Sequence, residues 1–269
     1  MNSPRPRFLD GPRPRILGHR GAKGHAPENT LPSFRKALEL GADILEMDVH
    51  ATRDGTVVVC HDDTVDRTTN GAGAVRRLMH SEIAKLDAGY HWSPDGEHFP
   101  FRGQGIRMPS LLEVVETFPG TPLNIEVKQA EPSIVDLVVR LLKEKGCEET
   151  VNLAAEKPEV MQAIRQSGWR GATGYSTGDA LAFMEALTTG TLADYRAPGV
   201  ALQVPERWNE VEVVTEAFVK GAHACGVEVH VWTVNELSDM ARLLALGVDG
   251  FVTDYPERGR AAIAARGVR

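Results

Sequence analysis

The feature that most limits what this chain can become is an alternation: eight short runs, most of them β-branched, separated by segments of helical period. The runs are RIL (15–17), DILEMDV (43–49), LNIEVK (123–128), TVNLAAE (150–156), GATGY (171–175), GVALQV (199–204), VEVHVWTV (227–234) and GFVTD (250–254). Between them, LPSFRKALELG, SLLEVVETF, SIVDLVVRLLKEKG, PEVMQAIRQSG and NELSDMARLLALG carry apolar residues three and four apart. Several end in the glycine that commonly stops a helix. Alternating β and α over 269 residues predicts an α/β fold with a parallel sheet, and eight units predict closure into a (β/α)8 TIM barrel. An open doubly wound sheet is the alternative, but no G-x-G-x-x-G follows the first run.

Two segments interrupt the alternation. ATRDGTVVVCHD (51–62) reads as a β-excursion turning at Asp54-Gly55. Residues 63–108 hold one short helical patch, SEIAKLDAG, and end in the aromatic, Gly/Pro-rich YHWSPDGEHFPFRGQG. A stretch this long between barrel elements is expected to be functional, here a small cap after the second strand region. The reading is one barrel domain over 1–269, with 1–14 as a flexible arm and 63–108 as the cap insertion.

Charge and cysteine usage narrow the partners. A net charge of −7 argues against nucleic acid or an anionic membrane surface. The three cysteines lack paired spacing, so no disulfide framework is expected, and Cys60 reads as a core thiol. MNSPRPRFLDGPRPR lacks the apolar centre of a signal peptide, and no run approaches the roughly 18 apolar residues of a membrane span. The expectation is a cytoplasmic protein with a small-molecule partner and no stable membrane insertion. No feature specifies an oligomeric state.

The polar residues fall at one end of the predicted strands. GHRG puts His19 and Arg20 after the first run, Glu46 and Asp48 lie toward the end of the second, and Glu126 and Lys128 end the third. His61 ends the excursion and Trp232 lies toward the end of the seventh run. Active sites of such barrels sit at the C-terminal ends of the strands, so these groups should share one pocket. Glu46 and Asp48, two apart on a strand, point the same way, and desolvating both requires something positive between them. Three carboxylates without a Cys or His cluster form a hard oxygen site, suited to Mg²⁺ or Ca²⁺. Arg20 and Lys128 suit an anion such as phosphate, and His19 and His61 suit general acid–base work near neutral pH. Glu28 and Asn29 in PENT read as residues that cap and anchor the first helix.

GHRGAKGHAPENTLPSF, GADILEMDVHATRDGTVVVCHDDTVDRTTNGAG, LNIEVK, VHVWTVN and GVDGFVTDYP, in this order from about residue 15 to 260, resemble the signature blocks of the glycerophosphodiester phosphodiesterase family. The resemblance implies a TIM barrel that hydrolyses glycerophosphodiesters to glycerol 3-phosphate and an alcohol, in lipid and glycerol metabolism. It implies catalytic roles for His19 and His61, metal ligation by Glu46, Asp48 and Glu126, and substrate binding by Arg20, Lys128 and Trp232. NLAAE (152–156) departs from the serine-containing turn of many relatives. Competing expectations are a lysophospholipase D acting on acylated glycerophosphodiesters, a Mg²⁺-dependent barrel lyase or isomerase, and a non-catalytic binding barrel.

Overall fold

A computed structural model of the chain describes residues 7–267. Eight parallel strands form its centre: β1 (Arg15–Gly18), β2 (Ile44–Ala51), β4 (Leu123–Val127), β5 (Val151–Ala154), β6 (Ala172–Thr173), β7 (Ala201–Pro205), β10 (Glu228–Trp232) and β11 (Gly250–Thr253). Their ladder runs β6-β5-β4-β2-β1-β11-β10-β7. β3 (Val57–Val59) returns antiparallel on β2, as the Asp54-Gly55 turn predicts, with Gly55 at φ +80°. The barrel closes where the Val200 N–H donates to the carbonyl of Thr173 at 2.9 Å. That approach needs glycine next door: a Cβ on Gly199 would lie 2.5 Å from the carbonyl oxygens of Thr173 and Gly174.

Helices α1 (Leu31–Glu39), α3 (Leu111–Thr117), α4 (Val135–Glu144), α5 (Pro158–Gln166) and α8 (Leu237–Leu246) occupy the segments of helical period. Three more, α6 (Thr177–Thr189), α7 (Glu216–Ala224) and α9 (Pro256–Ala265), complete the outer ring, and α2 (His80–Ile83) is a single turn within 63–108. A two-stranded hairpin, β8 (Arg207–Trp208) with β9 (Val211–Glu212), follows β7. Outward strand residues such as Ile16, Leu45, Met47, Ile125 and Phe251 are fully buried under the helices in one large cluster. No helix among the described residues is long and apolar enough to cross a membrane.

The barrel interior carries polar side chains in addition to the branched apolar ones that usually fill a barrel of this type. Near the N-terminal ends of the strands, fully buried Arg15 forks onto Glu228 at 2.9 and 3.2 Å, and His230 lies 3.1 Å from the same carboxylate. Asn152 and Gln203 both donate to Asn124 Oδ1. The bottom is stoppered by a 3₁₀ turn, Arg7–Leu9, whose Phe8 and Leu9 pack on Leu17, Ile44, Ala172 and Val252. Residues 7–14 fall within the segment expected as a flexible arm over 1–14. Two apolar residues and the buried Arg15 secure residues 7–14 beneath the barrel, while 1–6 lie outside the described residues.

Candidate active site

All eight residues singled out from the sequence lie at the C-terminal ends of the strands or on the loops that leave them. On β2, Glu46 and Asp48 face the barrel interior beside Glu126 of β4, where the register sets Asp48 opposite Glu126. One carboxylate oxygen from each of the three lies within 4.8 Å of the others. Burial, then the charge of Asp48, pushes the Glu46 carboxyl well above the usual carboxylate range, against the Arg20 amide N–H that donates to it at 2.7 Å. Burial likewise raises Glu126, with Lys128 opposing.

The cationic residues interleave with these acids. Lys128 Nζ is 2.9 Å from Glu126 Oε1 and 3.5 Å from Asp48 Oδ1. Burial would lower its pKa, but Glu126 and Asp48 hold it above the ordinary lysine value. Arg20, left-handed at φ +52°, places Nε 3.4 Å from Asp48 Oδ2 and Nη1 2.9 Å from Glu28 Oε1. Asn29, also left-handed, donates Nδ2 to Asp48 Oδ2 at 3.0 Å, and its buried Oδ1 has no hydrogen-bond partner. A divalent cation fits this donor set. Three clustered carboxylate oxygens, two of them on groups that resist ionisation without added positive charge, sit beside an orphaned amide oxygen.

Both histidines are held by a carboxylate. His19 Nδ1 is 2.7 Å from Asp254 Oδ1, and His61 Nδ1 is 2.7 Å from Asp62 Oδ1. Asn235 Nδ2 secures Asp254 at 2.9 Å, and Arg67 grips Asp62. Neither ring makes a hydrogen bond at Nε2 among the described residues, so that nitrogen remains for chemistry. His50, on the interior face with Asp48, donates Nε2 to the carbonyl of His61 and plays a supporting role. Trp232 ends β10 on the same mouth, two strands from β1, and is 41% exposed. Cys60 is buried, as a core thiol should be.

Sequence reasoning missed the residues that hold the site. Glu28 and Asn29 do not cap α1; Thr30 does, its side chain accepting from the Ser33 N–H. Glu28 instead bridges Arg20 and Arg67, and Asn29 supports Asp48. Left-handed backbone at Asn29 turns the chain back to the end of β1, with the Asn29 N–H donating to the Arg20 carbonyl. The acids following His61 and Thr253 were visible in HDD and VTDYP, and adjacency to a histidine was the available signal for Asp62.

A sequence model of the glycerophosphoryl diester phosphodiesterase family matches residues 19–258. A glycerophosphodiester phosphodiesterase of Caldanaerobacter subterraneus is 36% identical over 247 residues, covering 90% of this chain and 94% of that one. A lysophospholipase D of Homo sapiens is 28% identical, covering 91% and 84%. Among solved structures, a phosphodiesterase of Oleispira antarctica in complex with the product sn-glycerol-3-phosphate superposes with a TM-score of 0.76 at 27% identity, covering 94% of this chain and 97% of that one.

Proposed function

The chain belongs to the glycerophosphoryl diester phosphodiesterase family and is a glycerophosphodiester phosphodiesterase; from that premise we propose that it cleaves glycerophosphodiesters to glycerol 3-phosphate and an alcohol by two-histidine, divalent-cation-dependent catalysis. The observation that carries this reading is the meeting of two carboxylate-backed imidazoles with a three-acid cluster and two cations at one barrel mouth. Glu46, Asp48 and Glu126 would hold the cation, Mg²⁺ or Ca²⁺, which when bound supplies Lewis acidity toward a phosphoryl oxygen. Arg20 and Lys128 take up negative charge on the phosphoryl group as it builds in the transition state.

The glycerol hydroxyl next to the esterified carbon is a tethered nucleophile, with an effective molarity of about 10⁵ M or more. One histidine accepts its proton at Nε2 as its oxygen bonds to phosphorus. The other protonates the departing alcohol oxygen as the P–O bond breaks. A five-membered cyclic phosphate results, and water opens it with the two histidines exchanging roles. Trp232 lines the mouth and contacts substrate, and residues 63–108 serve as a cap over it within one barrel domain. Glycerol 3-phosphate as product suits a role in glycerol and lipid metabolism.

A second reading, lysophospholipase D action on acylated glycerophosphodiesters, is favoured by exposed apolar side chains on the segments that follow β7 and β10: Trp208 in β8 is 54% exposed and Leu237 at the start of α8 is 49% exposed, with Trp232 at 41%. The deciding assay is release of glycerol 3-phosphate from glycerophosphocholine, with and without chelator, against release of choline from lysophosphatidylcholine. Hydrolysis of neither substrate would refute both readings.

A further inference from the structure

Arg67 belongs to the cap, yet among the described residues its hydrogen bonds go to the site's own supports. Its Nε and Nη2 donate to Asp62 at 2.7 and 3.1 Å, and its Nη1 and Nη2 donate to Glu28 at 2.9 and 2.7 Å. Each carboxylate also shares an oxygen with a second partner. Asp62 Oδ1 meets His61 Nδ1 at 2.7 Å, and Glu28 Oε1 accepts from Arg20 Nη1 at 2.9 Å. One guanidinium therefore stands between a histidine and an arginine that come from different parts of the barrel.

The mount is firm. Val65 is fully buried in a satellite core with Val58, Cys60, Val75, Ile83 and Met108. The Val65 N–H donates to the Gly73 carbonyl, and the Thr69 hydroxyl donates to the Val65 carbonyl at 2.8 Å. The turn carrying Arg67 is thus pinned at its base while its side chain remains half-exposed, at 48%. An ion pair this exposed contributes little to stability, so four converging bonds are better understood as geometry. Only a planar fork can serve two carboxylates along two edges; an ammonium on a flexible stem cannot.

We propose that Arg67 is a positioning residue that sets Asp62 against His61 and Glu28 against Arg20 at once, tying the acid–base side of the site to its phosphate-binding side through the cap. The inference rests on the phosphodiesterase reading. Loss of Arg67 frees Asp62 to rotate away from Nδ1, so His61 loses its fixed tautomer and kcat falls. It also leaves Glu28 as a lone carboxylate on Arg20, which draws the guanidinium from the phosphate and raises KM.

The test is a set of variants assayed on glycerophosphocholine: Arg67→Met, Arg67→Lys, Asp62→Asn, Glu28→Gln, and Arg67→Met combined with Asp62→Asn. Arg67→Met should lower kcat about tenfold or more and raise KM several-fold, with Arg67→Lys recovering only part of either. Asp62→Asn should act mainly on kcat and Glu28→Gln mainly on KM. In the double variant, Arg67→Met should cost less than about twofold further in kcat, because its path through Asp62 is already gone. Fully additive losses, or wild-type kcat and KM in Arg67→Met, overturn the proposal. Thermal unfolding of each variant separates a folding defect from this effect, since a folding defect lowers the melting temperature and leaves the kcat losses additive. An inactive wild type would overturn the phosphodiesterase reading and this inference with it; an active wild type with additive losses would overturn the inference alone.

Discussion

His19 and Asp254 stand 235 positions apart in the chain and meet at 2.7 Å, imidazole Nδ1 to carboxylate Oδ1. They are brought together because β1 pairs with β11 in parallel, Gly18 opposite Thr253, so that the next residue on each strand arrives at the same mouth. A carboxylate on Nδ1 selects the tautomer that leaves Nε2 facing outward to work. His61 reaches the same condition with its sequence neighbour Asp62.

From that relationship, His19→Ala and His61→Ala should each lower kcat by at least about 10²-fold, with circular dichroism unchanged. Asp254→Asn should cost less, since the imidazole remains while its tautomer is no longer enforced. Steady-state kinetics decide it: turnover near wild type in either alanine variant would make that histidine structural.

The acidic cluster should make the enzyme sensitive to chelation. Glu46→Gln, Asp48→Asn and Glu126→Gln should each weaken divalent-cation binding in calorimetric titration by at least about tenfold. Asp48→Asn should also lower thermal stability, because Arg20, Lys128 and Asn29 all lean on that carboxylate. Activity that survives exhaustive chelation and dialysis would remove the metal from the mechanism.

Acid should loosen the barrel floor. Burial alone would raise Glu228, but bonds from His230 and Arg15 hold its carboxyl down to about 2 from a usual 4.5. A depressed carboxylate stabilises the fold fully above its unfolded value, so this contribution is intact above pH 4.5 and is lost as pH falls toward 2. Glu228→Gln should cost on the order of 3 kcal/mol at pH 7 by leaving Arg15 buried without its counter-charge. Urea unfolding at pH 7 and pH 3 should show the gap between variant and wild type narrowing in acid; a constant gap would contradict the assignment.

The cap should influence which alcohol leaves. Trp92 donates Nε1 to the Lys23 carbonyl at 2.9 Å, on the loop after β1, and stacks edge-on against Phe101. Tyr90 and Phe99 are taken up with Arg102, whose guanidinium carbon lies 4.3 and 3.9 Å from their ring centres. Shortening 89–108 should therefore change the ratios of kcat/KM among choline, ethanolamine and glycerol diesters. Unchanged ratios would take the cap out of the specificity argument.

The tethered hydroxyl is tested by removing it. The matching propane-1,3-diol diester keeps the charge and the leaving group but lacks the neighbouring nucleophile. It should inhibit competitively and turn over barely, if at all. Hydrolysis within about tenfold of the natural diester would mean that water attacks directly.

What could be read in advance follows from periodicity. Strand parity put Glu46 with Asp48 and Glu126 with Lys128 on shared faces, and an apolar stripe marked α4 and α5. α6 carries no such stripe: of its thirteen residues only Phe183 is buried. α9 packs through small residues, with Gly259 against Ile16, and small residues leave no apolar period. Phe8 and Leu9 form too short a signal to predict a plug. The residues that hold the site, Glu28, Asp62, Arg67 and Asp254, sit on loops, where no repeat dictates where a side chain goes.

The bond from Val200 to Thr173 has a consequence for how the barrel breathes. Every other neighbouring pair of parallel strands shares a register of at least two partners, whereas β6 and β7 meet across that contact. Local opening costs least along such a line, and amide exchange should be fastest there. In the ladder order the seam lies at the two ends, while β1, β2 and β4, which carry or launch the acids and cations, lie toward the middle. The wall can part on the far side while the catalytic half stays closed, which leaves the loop before Pro198 and Gly199 room to lengthen without disturbing the chemistry opposite.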